Sequence, residues 1–598
     1  MSQSSESASP AALPDVEVLS RNVAAWMQEA GKATAAYMKP GDAPQGGPPE
    51  ELGAMVASLG VVAERWLRDP QRALEAQSRL GQDLIGLWSA TLTRFRGGEA
   101  EPVARPDPKD NRFRDPEWSQ NPMFDFLKQA YLITSRWAER MVEEADDVDD
   151  HTRMKAGFYV KQAACALSPS NFLPTNPELI RETVKENGAN LVRGMRMLAE
   201  DVAAGGGKVR LRQTDFERFK VGVNIATTLG KVVFRNDLIE LLQYAPTTET
   251  VLRRPLLIVP PWINKFYVLD LNPEKSFIKW AVDQGLTVFC ISWVNPDERH
   301  AEKGFEDYMR EGIFAALDAI RQATGEEEVG AIGYCIGGTL LGMTLAYMAA
   351  TGDRRIAHAA FFTTQVDFSQ SGELKVFIDE EQIRETEAAM KERGYLEGSK
   401  MANSFNMLRP NDLIWPYVVN VYMKGQPPQP FDLLYWNSDA TRMPYRTHST
   451  YLRSCYLNND VTEGRMELDG VRLDLGQVTI PVFQLATRED HIAPARSVFI
   501  GSKAFGGPLE YVLAGSGHIA GVVNPPAKGK YGFKTGGPVE GTLEEWDSRA
   551  ETHSGSWWPY WFAWAERQNP ERVPAREPGA GGLPALEDAP GSYVKVRS

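Results

Sequence analysis

The sequence predicts an α/β architecture: a mostly parallel sheet covered by helices, preceded by a mainly helical N-terminal domain. Three observations carry this. Beyond about residue 215, short β-rich runs alternate with helical ones. A glycine-bracketed turn, GAIGYCIGG (330–338), joins an apolar strand pattern to an apolar helical one. Upstream of residue 215 the apolar spacing is helical. Strand–helix alternation implies parallel strands, because each crossover must return over a face of the sheet. At 598 residues the chain exceeds the roughly 250–300 residues at which one core stops growing, so two domains are expected, 1–215 and 216–598.

In chain order, residues 1–14 and 39–52 (KPGDAPQGGPPEEL) are rich in Pro, Gly and Ser and are expected to be mobile. Helical patterns run from Val16 to Met38 and from Leu52 to Phe95. In the second, Leu80, Leu84, Leu87 and Trp88 share one face, and such a stripe ordinarily packs within its own domain. Residues 101–115 form a linker, and Pro116–Leu198 is helical again, broken at SPSNFLPTNP (168–177). The acidic EEADDVDD (143–150) lacks the glycine and alternation of a calcium loop and suits a solvated turn. GGGKV (205–209) lacks the Ser/Thr and leading glycine of a phosphate-binding loop. Strands are then expected at KVVF (231–234), RPLLIVP (254–260), LTVFCISWV (286–294), EVGAIGY (328–334), IPVFQLA (480–486) and EYVLA (510–514). A Trp-, Tyr- and Pro-rich insertion at about 364–450 is expected to form a cap or lid.

The net charge of −14 argues against a broad nucleic-acid face, which needs local positive charge. No basic-then-apolar export signal is visible at the N-terminus. The longest apolar run, Ile336–Ala350, falls short of the roughly 20 residues of a membrane span and suits a buried helix. Four cysteines without close pairing fit a reducing compartment, so a cytoplasmic protein is expected.

Gly333-Tyr334-Cys335-Ile336-Gly337 has the form G-x-C-x-G, the nucleophile elbow of the α/β-hydrolase fold with sulfur in place of oxygen. The flanking glycines are needed because side chains there would collide with neighbouring backbone. The other cysteines, Cys165, Cys290 and Cys455, lie in regular apolar patterns and suit inert buried hydrophobes. The elbow demands an acid and then a histidine further along the chain. Asp490 stands just past a late strand; its neighbour His491 would tend to diverge from it. His518 follows the next strand on a glycine-bracketed loop, and His553 is the weaker alternative. His518 would take the proton of Cys335, a free thiol ionising near pH 8.5, and Asp490 would orient the imidazole. An oxyanion needs backbone donors: Ile336 N–H, and a second near Trp262 and Ile263 in PLLIVPPWINKFYVLD (255–270), a stretch that equally suits a plain Pro-terminated strand. A thiolate attacking a thioester makes another thioester and keeps the acyl group activated. Cysteine at the elbow therefore favours acyl transfer, with coenzyme A esters as donors, over hydrolysis.

Further stretches add to this: RFRDPEW (112–118), LSPSNFLPTNPE (167–178), VVFRNDLIELLQY (232–244), PPWINKFYVLDL (260–271), ISWVNPD (291–297), FDLLYWNSDATRMP (431–444), REDHI (488–492), GSGHIAG (515–521), GSWWPYW (555–561) and APGSYVK (589–595). With GYCIGGT (333–339), these make the chain from about residue 110 onward resemble the polyhydroxyalkanoate synthases. One departure is Thr228-Leu-Gly230, where that family usually has Thr-Pro-Gly. The resemblance implies Cys335 as the residue holding the acyl chain, His518 as the base that activates it, and Asp490 as third member, with activation of the attacking 3-hydroxyl as an alternative role for Asp490. It implies polymerisation of (R)-3-hydroxyacyl-CoA with release of CoA and no metal or dissociable cofactor. Tyr334 and the Gly-Gly-Thr after the cysteine are similar to class I members, which act without a partner subunit and favour short units such as 3-hydroxybutyryl. It also implies a homodimer on the surface of polyester granules, where the N-terminal helices could serve. A thiol-dependent hydrolase or thioesterase is the alternative enzyme, and a catalytically silent granule-surface protein the non-enzymatic one.

Overall fold

The computed structural model describes residues 15–37, 50–207 and 209–597. The chain forms two compact units, Met1–Asp215 with Arg409–Pro430, and Phe216–Leu408 with Phe431–Ser598. Residues 1–14 and 38–49, most of the stretches expected to be mobile, and Lys208 of the GGGKV stretch lie outside the described residues. Residues 50–52 depart from that expectation, since a helix begins at Glu50.

The N-terminal unit is helical. The single pattern expected over 52–95 is two helices, Glu50–Leu67 and Pro70–Phe95. Pro70 cannot donate to a continuing helix, and the Asp69 carboxylate caps the new one at Arg72 N–H. Of the apolar stripe, Leu87 is fully buried and Leu80 and Leu84 pack beside it against Trp118, Phe124 and Leu132. Burying Leu87 contributes about 2 kcal/mol. Trp88 stays 56% exposed with its ring against Phe126. The acidic 143–150 stretch is a turn in which Asp149 caps the helix Asp150–Ala166.

The second unit is built on an eleven-stranded sheet. Its strands are β1 (Gly230–Arg235), β2 (Ile239–Tyr244), β3 (Leu256–Val259), β4 (Val288–Trp293), β5 (Val329–Tyr334), β6 (Ile356–Phe362), β7 (Val482–Thr487), β8 (Leu509–Ala514), β9 (Phe533–Thr535), β10 (Glu551–His553) and β11 (Glu587–Asp588). They lie in the order β10-β9-β8-β7-β6-β5-β3-β4-β2-β1-β11. The six from β8 to β4 are parallel, and both flanks are antiparallel. β5 and β7 are buried at every position, as expected of parallel strands covered on both faces.

Two strands of this core, β2 and β6, escape the sequence patterns. IAHAAFF in β6 is alanine-rich and lacks the β-branched run that marks a strand. The insertion also differs from the expected 364–450. The chain leaves the sheet after Phe362 and returns at Val482, and Arg409–Pro430 groups with the N-terminal unit. There Gly194 admits the Tyr422 backbone: a Cβ on Gly194 would lie 2.0 Å from the Tyr422 carbonyl oxygen.

In the order β4-β3-β5 successive strands are added to one side of β3 and then to the other, and such a switch point opens a crevice at the carboxyl ends of the strands. Loops after β3, β5, β7 and β8 all emerge at that end, which is where the candidate site assembles.

Candidate active site

Cys335 is the hinge between β5 and the helix Ile336–Thr351. Its backbone is left-handed, with φ 53° and ψ −128°, a conformation strained for a residue bearing Cβ. Cys335 N–H donates to Phe362 O at 3.0 Å, tying the turn to β6. The flanking glycines are required by close approach. A Cβ on Gly333 would sit 2.4 Å from Gly338 Cα, and one on Gly337 2.4 Å from the carbonyl oxygens of Val259 and Pro260. The second contact shows that the first turn of the helix lies directly against the end of β3.

The other cysteines are buried, and burial pushes each of their thiols up, away from the reactive thiolate. Cys335 alone of the four is half-exposed, at the N-terminus of a 16-residue helix whose dipole favours negative charge.

Asp490 lies three residues past β7 with its side chain fully buried. Its Oδ1 accepts from the backbone N–H groups of Ile492 and Ala493, both at 2.8 Å. Its Oδ2 accepts from Thr487 Oγ1 at 3.3 Å and pairs with His518 Nδ1 at 2.7 Å. His491, the immediate neighbour, does not take this carboxylate. Glu489 N–H donates to Ser516 O, which fastens the acid loop to the histidine loop. His518 also lies close enough to Cys335 for the two to interact electrostatically. With Nδ1 on Asp490, Nε2 is the nitrogen left for the thiol. Burial lowers the affinity of His518 for its proton, but the neighbouring Asp490 and Cys335 outweigh it and raise the pKa from 6.5 to about 10. His553 sits elsewhere, in edge strand β10, against Thr535 Oγ1 at 2.7 Å and stacked on Phe533.

The two candidate oxyanion donors come from adjacent loops. Ile336 opens the helix, where the first amides have no partner within the helix. Ile263 is buried in the loop after β3, whose Val259 and Pro260 carbonyls touch Gly337.

Sequence patterns missed the residues that brace His518. Tyr334, fully buried, donates its hydroxyl to His518 O at 3.1 Å, and the two rings stack with centroids 5.6 Å apart. Burial, reinforced by the charges of Cys335 and Asp490, pushes this phenol well above its ordinary range, so it remains a donor. Beyond the loop, Trp557 and Trp558 donate their indole N–H groups to Gly521 O and Val522 O, each at 2.8 Å. Tyr334 is visible only as the neighbour of Cys335. The tryptophans stand out in GSWWPYW, but nothing in that stretch tells which carbonyls they meet.

One expected outcome concerns pH. A folded-state pKa of about 10 against 6.5 for an ordinary histidine means that the charged form stabilises the fold fully below about pH 6.5. That contribution is lost as the pH rises through about 10. Thermal unfolding from pH 6 to 10 should therefore show the wild type losing its advantage over His518→Gln as pH rises; parallel curves would contradict the charged pairing.

Fold and site together define a class: an α/β-hydrolase-fold chain with cysteine at the elbow and an Asp–His pair beside it. Residues 254–525 match the family described as alpha/beta hydrolase fold, and residues 109–281 that described as the poly-beta-hydroxybutyrate polymerase (PhaC) N-terminus. The poly(3-hydroxyalkanoate) polymerase of Methylorubrum extorquens is 60% identical, over 99% of this chain and 100% of that protein. The corresponding PhaC subunit of Rhizobium meliloti is 60% identical over 99% and 97%, and that of Cupriavidus necator 39% over 88% and 89%. Among solved structures, a hydrolase from Pseudomonas aeruginosa PA01 aligns with 51% of this chain and 96% of its own at 14% identity and a TM-score of 0.31. The chain belongs to the poly(3-hydroxyalkanoate) polymerase family and is an acyltransferase, an enzyme that transfers hydroxyacyl groups. Among the described residues no helix is long and apolar enough to cross a membrane.

Proposed function

We propose that the chain polymerises (R)-3-hydroxyacyl-CoA, with 3-hydroxybutyryl-CoA as its preferred unit, releasing CoA through an acyl-cysteine intermediate on Cys335. The observation that carries this is the Asp490–His518–Cys335 chain of contacts at an elbow bearing sulfur. The Cys335 thiolate attacks the thioester carbonyl, and the oxyanion is held by the N–H groups of Ile336 and Ile263. As the intermediate collapses, the C–S bond to CoA breaks and His518 gives its proton to the departing thiolate. Neutral His518 then takes the proton of a 3-hydroxyl whose oxygen attacks an acyl-cysteine, forming the ester and returning the Cys335–His518 pair. Asp490 keeps the imidazole oriented throughout. These steps use the residues named and the thioester itself, with no metal or dissociable cofactor.

The reading extends to assembly: a homodimer in the cytoplasm, bound to the surface of its own polyester granules. The test is to incubate purified protein with (R)-3-hydroxybutyryl-CoA, follow CoA release and size the acyl product. Chloroform-soluble polyester is the expected product. Free 3-hydroxybutyrate in stoichiometry with CoA would make water the acceptor and the chain a thiol hydrolase.

A further inference from the structure

The loop after β3 is gripped from one side by the segment 431–444. Thr441 Oγ1 donates to Trp262 O, and Thr441 N–H donates to Ile263 O at 3.0 Å. Trp436 Nε1 donates to Lys265 O at 2.7 Å. Lys265 Nζ and Tyr267 OH both reach the Asp439 carboxylate at 2.8 Å, the Lys265 and Asp439 side chains being almost wholly buried. From the sheet, Trp293 Nε1 donates to Pro260 O at 2.9 Å. The carbonyls of residues 260, 262, 263 and 265 are thus all held.

One of these bonds has a stereochemical consequence. The Trp262–Ile263 peptide is trans, and across a trans peptide the carbonyl of one residue and the N–H of the next point in opposite directions. Holding Trp262 O toward Thr441 therefore turns Ile263 N–H away from Thr441. A peptide plane without such a bond could rotate its N–H out of line, and an oxyanion donor is effective only when fixed before charge develops.

The geometry points to Thr441 as a positioning residue: its buried hydroxyl, by holding Trp262 O, aims the Ile263 N–H that receives the oxyanion. This rests on the reading above that Ile263 N–H is the second donor. Thr441 touches neither substrate nor nucleophile in this role; it acts through one peptide plane.

The test is a double-mutant cycle on the full chain. Thr441→Val keeps the shape and removes the hydroxyl; Thr441→Ala, which adds no bulk, replaces it should valine fail to fold. Deletion of the Ile263 N–H is made by incorporating the α-hydroxy acid analogue of isoleucine at position 263. Initial CoA release from (R)-3-hydroxybutyryl-CoA is the readout. The amide-to-ester change should lower kcat roughly 100- to 1000-fold, as for loss of an oxyanion donor. Thr441→Val should lower kcat roughly 10- to 100-fold with KM within about twofold, and Thr441→Ser should restore most of it. In the ester background Thr441→Val should cost little more, because the group it aims is gone. Wild-type kcat in Thr441→Val, failure of serine to rescue, or additive losses in the double variant would each overturn the role of Thr441 while leaving the oxyanion assignment intact. An ester variant with wild-type kcat would overturn that assignment, and the role of Thr441 with it.

Discussion

Cys335→Ala protein should release no CoA from (R)-3-hydroxybutyryl-CoA above background and make no polymer, a loss of roughly ten-thousandfold or more on the scale of nucleophile deletions. No other group can substitute. The remaining three cysteines are buried with their thiols pushed up, and none stands at a helix N-terminus beside a histidine. The substitution leaves the turn itself unaltered, because alanine carries the same Cβ that the left-handed backbone already tolerates. Circular dichroism and the unfolding temperature should therefore remain close to wild type. Cys335→Ser is the sharper variant. A hydroxyl is far less acidic than a thiol, so His518 faces a proton much harder to remove although the shape is kept, and turnover should fall nearly as far. Retention of polymer synthesis by Cys335→Ala would refute the covalent route.

Asp490→Asn should lower elongation roughly a thousand- to ten-thousandfold, through a change of tautomer rather than of shape. Oδ1 of Asp490 is fixed by two backbone N–H donors, so an asparagine must place its oxygen there and its NH₂ toward His518. Nδ1 of the imidazole must then accept. The neutral ring consequently carries its proton on Nε2, facing Cys335, and cannot take the proton of the thiol. Raising the pH ionises the thiol without help and should partly recover the first burst of CoA release. Elongation should not recover, since the attacking hydroxyl still lacks a base. Burst kinetics at pH 7 and 9.5 separate the two steps. Elongation within tenfold of wild type would show that Asp490 does not set the tautomer.

The parts of the site legible in sequence are those whose chemistry is local. The elbow is a run of five residues with a strand before and a helix after, and its glycines are needed for contacts made within that same turn or with the adjacent strand. The N-terminal helices are legible for the same reason, although their helical spacing runs on across the break at Asp69 and Pro70. β6 was missed because its alanines carry little strand preference, and its burial comes entirely from the neighbouring β5 and β7. The middle of the insertion, Arg409–Pro430, joins the N-terminal unit through packing such as Gly194 against Tyr422, which no local pattern encodes.

By itself the sequence determined that a cysteine stands at the elbow, that an aspartate and a histidine follow it in that order, and the strand–helix alternation that sets the sheet, since each is written in local stretches of the chain. Only the tertiary structure decided that Asp490 meets His518 and not His491, that Tyr334, Trp557 and Trp558 brace the histidine loop, and that Thr441 holds the peptide of Ile263. These contacts join residues from 28 to 184 positions apart. For Asp490 and His518 the geometry comes from the adjacent parallel strands β7 and β8 delivering their loops to the same end of one sheet, a relation that exists only once the sheet has formed.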